Sequence, residues 1–260
     1  MRGRAPHAHG RRFVRRGLEC LQLIRMSLGA TGDRQPMSPR TRRTVVPLSA
    51  MLAGITSLMA TSASGQTVGC EPVSERAGRE FGCFITARTD LGALPKDSAL
   101  YWHIDAFASE AKAGAAKASR SIVVQSLGRI WLFTIGEAAW RPSGGERIGL
   151  VGPLPLVQAD SYAAVFMEGV FQPGMQSPVH RHPGVEAWYT LEGEQCLETP
   201  RGKLVQRAKD PGVMVPGGEP MRLTGTGTGV RRSLVLILQD AAQPRSMLAA
   251  DWQPAGLCHP

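Results

Sequence analysis

No apolar run in this sequence is long enough to cross a bilayer. The longest uncharged apolar stretch covers residues 45–60 and contains Pro47, whereas a spanning helix needs roughly 20 residues. Nucleotide-binding loops are missing as well. There is no G-x-G-x-x-G, no P-loop and no G-x-S-x-G nucleophile elbow. The run Thr224–Gly229, TGTGTG, has no phosphate-loop context and reads as a flexible hairpin. No cysteine pair has zinc-knuckle spacing, which argues against a structural zinc site. Acidic residues are scarce in the first quarter of the chain. The formal net charge of +9 suggests a nucleic-acid partner at first sight. Residues 1–65 carry 11 Lys and Arg against only Glu19 and Asp33, so they hold the whole excess. The remaining 195 residues are charge-balanced, and the case for nucleic acid disappears.

The basic segment resembles a targeting sequence. Arg40, Arg42 and Arg43 precede the apolar stretch 45–60, and small residues at 61–65 follow it. That order defines a secretory signal peptide over residues 37–65, with cleavage expected between Ala63 and Gln66. Residues 1–36 form an Arg-rich leader. The simpler expectation is that translation starts at Met37; the alternative is an extended targeting segment. Export to the periplasm or the exterior leaves four cysteines in an oxidising compartment. Cys70 and Cys83 are close enough in sequence to be expected as a disulfide. Cys196, in a strand-like run, reads as a buried small residue.

Past residue 66 the pattern is dominated by strands. Residues 106–119, rich in Ala and Lys, are the best helix candidate. Strand-like runs follow at 121–126, 129–135, 162–171, 186–191, 196–199, 203–207, 212–215, 221–224 and 233–238, separated by Gly and Pro turns. No strand–helix alternation is visible. The expectation is an all-β, antiparallel sandwich or barrel.

The chemistry concentrates in Gly174–Gly193, GMQSPVHRHPGVEAWYTLEG. His180 and His182 stand two residues apart, so on a strand both rings share one face. Pro183-Gly184 makes a turn that can bring Glu186 back toward them. Two imidazoles and a carboxylate suit Zn, Mn, Ni, Fe or Cu, with coordination positions left open. In an extended strand Trp188 and Thr190 share the face of Glu186, and Tyr189 points the other way. Trp188 is a candidate cavity wall or a core residue. Glu168, inside an apolar strand, is either solvated or a buried acid beside the site. Arg181, between the two histidines, and Arg222, farther along the chain, are candidates for an anion at a barrel mouth.

Gly174, His180, His182, Glu186 and Gly193 have the spacing of the first motif of the cupin family, which the chain resembles over residues 158–240. The second motif is incomplete. Pro216-Gly217-Gly218 fits its Pro-x-Gly core, but Asp210 replaces its first Gly and Gly225 its closing Asn. Met221 stands at the position of the family's third metal-binding His. The resemblance implies an antiparallel double-stranded β-helix, a jelly-roll barrel, with a site inside. Three readings of that site stay open. His180, His182 and Glu186 bind a metal alone; another His, His103 or His259, replaces the third ligand; or the metal is lost and Met221 lines an apolar ligand pocket with Trp188 and Glu168. Residues 66–157 are a flanking region or a degenerate barrel half with a short helical and strand extension, and 241–260 are a C-terminal tail. The expected partner is a small molecule in the barrel, and a homodimer is a candidate assembly. Two function classes remain, a binding module and a metal-dependent oxygenase or isomerase.

Overall fold

Runs such as Tyr162–Phe171 and Ser233–Leu238 are apolar at nearly every position, a pattern that demands burial on both faces of a sheet. The computed structural model describes residues 69–259. The leader 1–36, the signal segment 37–65 and Cys20 lie outside the described residues. In chain order the elements are β1 (Cys70–Pro72), β2 (Gly82–Gly92), β3 (Leu100–Phe107), α1 (Glu110–Ala115), β4 (Ser121–Ser126), β5 (Arg129–Glu137), β6 (Glu146–Val151), β7 (Tyr162–Phe171), β8 (His180–Arg181), β9 (Val185–Glu192), β10 (Glu194–Thr199), β11 (Gly202–Arg207), β12 (Val213–Val215), β13 (Arg222–Thr226), β14 (Arg231–Asp240) and β15 (Met247–Leu248). Among the described residues, no helix is long and apolar enough to cross a membrane.

A six-stranded sheet, ordered β1-β2-β7-β14-β9-β12, forms the centre. On one side lie the three-stranded sheet β11-β10-β13 and the pair β15-β8. The bridges Gln176–Thr224 and His180–Met221 tie the β8 segment to the chain entering β13. From β7 onward the chain alternates between the central sheet and these facing strands, which is jelly-roll connectivity. Every strand pairing except β1–β2 is antiparallel. At Gly193 the chain passes from β9 to β10 with φ +71°, and a Cβ there would meet the Val230 carbonyl at 2.6 Å. Only glycine meets both conditions without strain.

The two faces of the central sheet carry separate cores. Val165, Met167, Trp188, Val235 and Ile237 point inward, toward the facing strands. Phe166, Ala187, Leu234 and Leu236 point outward, against Trp102, Trp131 and Phe133 of the sheet β4-β5-β3-β6. Phe166 stacks on Phe133 with ring centroids 5.0 Å apart. Burying each such ring is worth about 1.5–3 kcal/mol. The outer face of the four-stranded sheet is capped by α1, whose Ala113 packs on Leu132.

Three sequence expectations change. The helix is six residues long rather than spanning 106–119. Ala106 and Phe107 end β3, where pairing with β5 overrides the helical preference of the Ala-rich stretch, and the Ser109 side chain caps the helix. β2 and β3 are additional strands, and β2 pairs with β7 in the central sheet. Cys196 is not a lone buried thiol. It forms a disulfide with Cys258, 62 residues away, beside the expected Cys70–Cys83 disulfide. The long bridge, together with β15, holds the C-terminal segment across the barrel.

Cross-links that close long loops restrict the unfolded chain most. Replacing Cys258 with Ser is expected to lower unfolding stability by about 2–5 kcal/mol, read from the urea midpoint. An unchanged midpoint would contradict a role for this bridge in holding the C-terminal segment.

Candidate metal centre and ligand cavity

His180 lies in β8, His182 one residue beyond it, and Glu186 at the start of β9. The Pro183-Gly184 turn brings them together. A Cβ at Gly184 would sit 2.1 Å from the Leu238 carbonyl, so the turn packs against β14 only because position 184 has no side chain. The Gly218 amide donates to the His182 carbonyl at 2.7 Å, which ties the Pro-Gly stretch 216–218 to this turn.

The three side chains converge. One donor atom from each lies within 4.8 Å of the other two. His182 Nε2 is 2.9 Å from Glu186 Oε2, and His180 Nε2 is 3.8 Å from it. Each imidazole is oriented through its other nitrogen. His180 Nδ1 lies 2.8 Å from the Pro178 carbonyl and His182 Nδ1 2.6 Å from the Arg245 carbonyl. A carbonyl can only accept, so both Nδ1 atoms carry the proton and both Nε2 lone pairs face the centre. His182 Nε2 and Glu186 Oε2 are buried without a hydrogen-bond partner. Unsatisfied polar atoms in a core are costly, and a divalent cation between them would satisfy all three donors. Two imidazole nitrogens and one carboxylate oxygen fit a borderline or hard divalent ion, so the residues present fit a metal.

Electrostatics couple the carboxylate to the two imidazoles. Burial alone would raise the Glu186 pKa, but the facing imidazoles in their protonated form, His182 first, outweigh it and hold the carboxyl at about 2. For His180, burial opposes the charged form. The Glu186 hydrogen bond and charge override it, so its pKa lies above the ordinary 6.5.

Open space of about 670 Å³, its mouth to solvent included, adjoins the triad. Trp188 lines it on the same face as Glu186, while Tyr189 points outward and donates to the Ile148 carbonyl at 2.6 Å. Two arginines that sequence reasoning missed also line it, Arg231 and Arg245. Arg231 is 1% exposed and lies over the Phe171 ring, 5.2 Å from its centroid. Burial lowers its pKa to about 9, so it remains charged at neutral pH. A signal existed in the sequence: Gly169, inside the apolar run of β7, leaves room for the guanidinium. A Cβ at 169 would lie 2.5 Å from Arg231 Nη1.

Other candidates fall elsewhere. Glu168 is buried but does not line the cavity. It stands on the outer face of β7, where Arg76, Ser126 Oγ and the Leu127 amide bind its carboxylate. Strand alternation places it opposite to its neighbour Met167. Met221 pairs its backbone with His180 through hydrogen bonds of 2.8 and 3.1 Å. Its buried side chain packs in the apolar cluster with Trp188 and Leu223, outside the cavity lining. His103 belongs to the four-stranded sheet, with Nε2 2.9 Å from the Glu137 carbonyl, and His259 is exposed. Neither supplies a third imidazole to the centre. Arg181 is paired with Asp251 and Arg222 with Glu198.

No protein-family model matches this chain, and no curated protein matches it. Solved structures do match. The DMSP lyase DddQ from Ruegeria pomeroyi DSS-3 is 22% identical, with a TM-score of 0.30, over 36% of this chain and 45% of that one. A cupin superfamily protein from Desulfitobacterium hafniense DCB-2 is 21% identical, with a TM-score of 0.26, over 32% of this chain and 72% of that one. A conserved protein with a double-stranded β-helix domain from Klebsiella pneumoniae is 22% identical, with a TM-score of 0.30, over 42% of this chain and 89% of that one. The chain thus spans less than half the length of the DMSP lyase. These likenesses concern the fold alone.

The raised His180 pKa would set the pH dependence of a metal held at this centre. A proton held on His180 to a higher pH competes with the metal, so affinity falls as pH drops, and the fall begins above 6.5. Glu186 stays ionised throughout this range. Zinc titrations between about pH 5 and pH 8 are expected to show affinity decreasing toward acid. A flat profile would contradict the imidazole ligands.

Proposed function

We propose that this chain, which has the cupin double-stranded β-helix fold, is an exported protein that holds a divalent metal on His180, His182 and Glu186 and binds a small organic molecule beside it. The observation that carries this reading is the convergence of His180, His182 and Glu186, whose ligand atoms lie within 4.8 Å of one another with no hydrogen bond satisfying His182 Nε2 or Glu186 Oε2. When bound, a divalent ion supplies Lewis-acid character toward a ligand oxygen in the adjoining cavity. The protein orients the imidazoles through the Pro178 and Arg245 carbonyls, and Trp188 walls the cavity. Export is supported by the signal-type segment 37–65 and by two disulfides among the described residues.

One observation favours turnover over binding alone. A metal held by three protein ligands would keep coordination positions free for a substrate, as a metal-dependent oxygenase or isomerase requires. Against it, Glu186 is the only carboxylate among the described residues that line the cavity, and it is a metal ligand in this reading. No second acid is in place as a general base, so binding is the primary function.

Metal analysis of the purified chain is expected to give one divalent ion per chain, lost in both His182→Ala and Glu186→Ala while the near-ultraviolet circular dichroism persists. Failure to retain any of Fe, Mn, Zn, Ni or Cu after reconstitution would overturn the metal reading. Mapping the N-terminus of the exported chain is expected to place it between residues 64 and 66. A mature chain that starts before residue 50 would contradict a signal segment.

A further inference from the structure

The cavity holds a second group that nothing in the metal centre uses. Arg231 begins β14 on the inward face shared by Ser233, Val235 and Ile237. Its guanidinium is buried, yet it has no carboxylate partner among the described residues, and Nε and Nη2 have no hydrogen-bond partner at all. Buried guanidinium groups are ordinarily paired, because removing the charge from water is costly. The chain nevertheless makes room for this one. Gly169 removes the side chain that would collide with Nη1, and the Phe171 ring lies beneath the cation. A neutral, well-packed side chain would fill the same space at lower cost.

The charge balance of the cavity points the same way. Its charged lining residues are Arg231, Arg245 and Glu186. Two cations therefore face one carboxylate before any metal is counted, and a divalent ion would increase the positive excess. An anionic ligand would correct this imbalance. The two free N–H groups of Arg231 match the paired oxygens of a carboxylate. Most of the remaining wall is apolar, with Met167, Phe171, Trp188, Leu223, Val235 and Ile237. Of the other side-chain donors in the lining, Arg245 donates to the Cys70 carbonyl and Ser177 to the Pro178 carbonyl, which leaves Ser246 as the further donor for the larger demand of a phosphate dianion.

We infer that the cavity ligand is a small organic carboxylate with an apolar body, its carboxylate held by Arg231 and its body packed against Trp188 and Phe171. The inference rests on the proposed role of this cavity as a ligand site, but not on the metal.

The test is calorimetric titration of the chain, zinc-loaded and metal-stripped, with acetate, benzoate, succinate, benzamide and inorganic phosphate. Benzoate is expected to bind about tenfold or more tightly than benzamide. Arg231→Met is expected to remove that preference while zinc stoichiometry is unchanged, and Arg231→Lys to restore part of it. Gly169→Ala, which displaces the guanidinium, is expected to weaken benzoate without altering zinc, and it serves as the reporter if Arg231→Met does not fold. Equal binding of benzoate and benzamide would overturn the inference. So would tighter binding of phosphate, no binding of any carboxylate, or benzoate affinity unchanged in folded Arg231→Met. Arg231-dependent benzoate binding in a chain that takes up no zinc would sustain the inference while refuting the metal centre. Zinc uptake without carboxylate binding would do the reverse.

Discussion

Burial of the central sheet on both faces is the constraint on which the rest of the structure depends. The four-stranded sheet covers its outer face, and the strands β8, β10, β11, β13 and β15 cover its inner face. Any charged side chain on β7, β9 or β14 must then be paired or await a partner. The two faces resolve this differently. On the outer face Glu168 is fully engaged by Arg76, Ser126 and Leu127, and it serves as a structural tie between the sheet and its cover. On the inner face Glu186 and Arg231 are left with unsatisfied atoms. In the proposed function, a metal at Glu186 and an anion at Arg231 would meet the same energetic rule that the neighbours of Glu168 meet on the outer face.

The C-terminal segment completes that site rather than trailing from it. The Arg245 carbonyl fixes the His182 ring, Arg245 itself lines the cavity, and β15 pairs with the strand that carries His180. The Cys196–Cys258 bridge and the Arg181–Asp251 ion pair hold this segment in place. Loop-closing cross-links are most useful where a segment lacks a core of its own, and residues 241–259 bury little beyond Ala249 and Cys258.

Much of this was legible in the sequence, and the failures have physical causes. The strands from Tyr162 to Asp240 follow their apolar pattern closely, and the triad followed from the His-x-His spacing with a turn before Glu186. β2 and β3 were missed because their mixed sequences are stabilised by partners distant in the chain, which propensity does not register. The Ala-rich helix shrank because its first residues were drawn into β3. Cys196 looked inert because its partner is 62 residues away. Arg231 escaped notice because an arginine beside Arg232 at a strand edge reads as solvated, and only the missing side chain at Gly169 hinted otherwise.

In the proposed function His180, His182 and Glu186 hold the metal and Met221 does not touch it. X-ray absorption at the zinc edge of the loaded chain tests it most directly. Two imidazole nitrogens and light oxygen scatterers are expected at about 2.0–2.2 Å, with no sulfur shell. A sulfur scatterer near about 2.3 Å, or the absence of imidazole scattering, would contradict it.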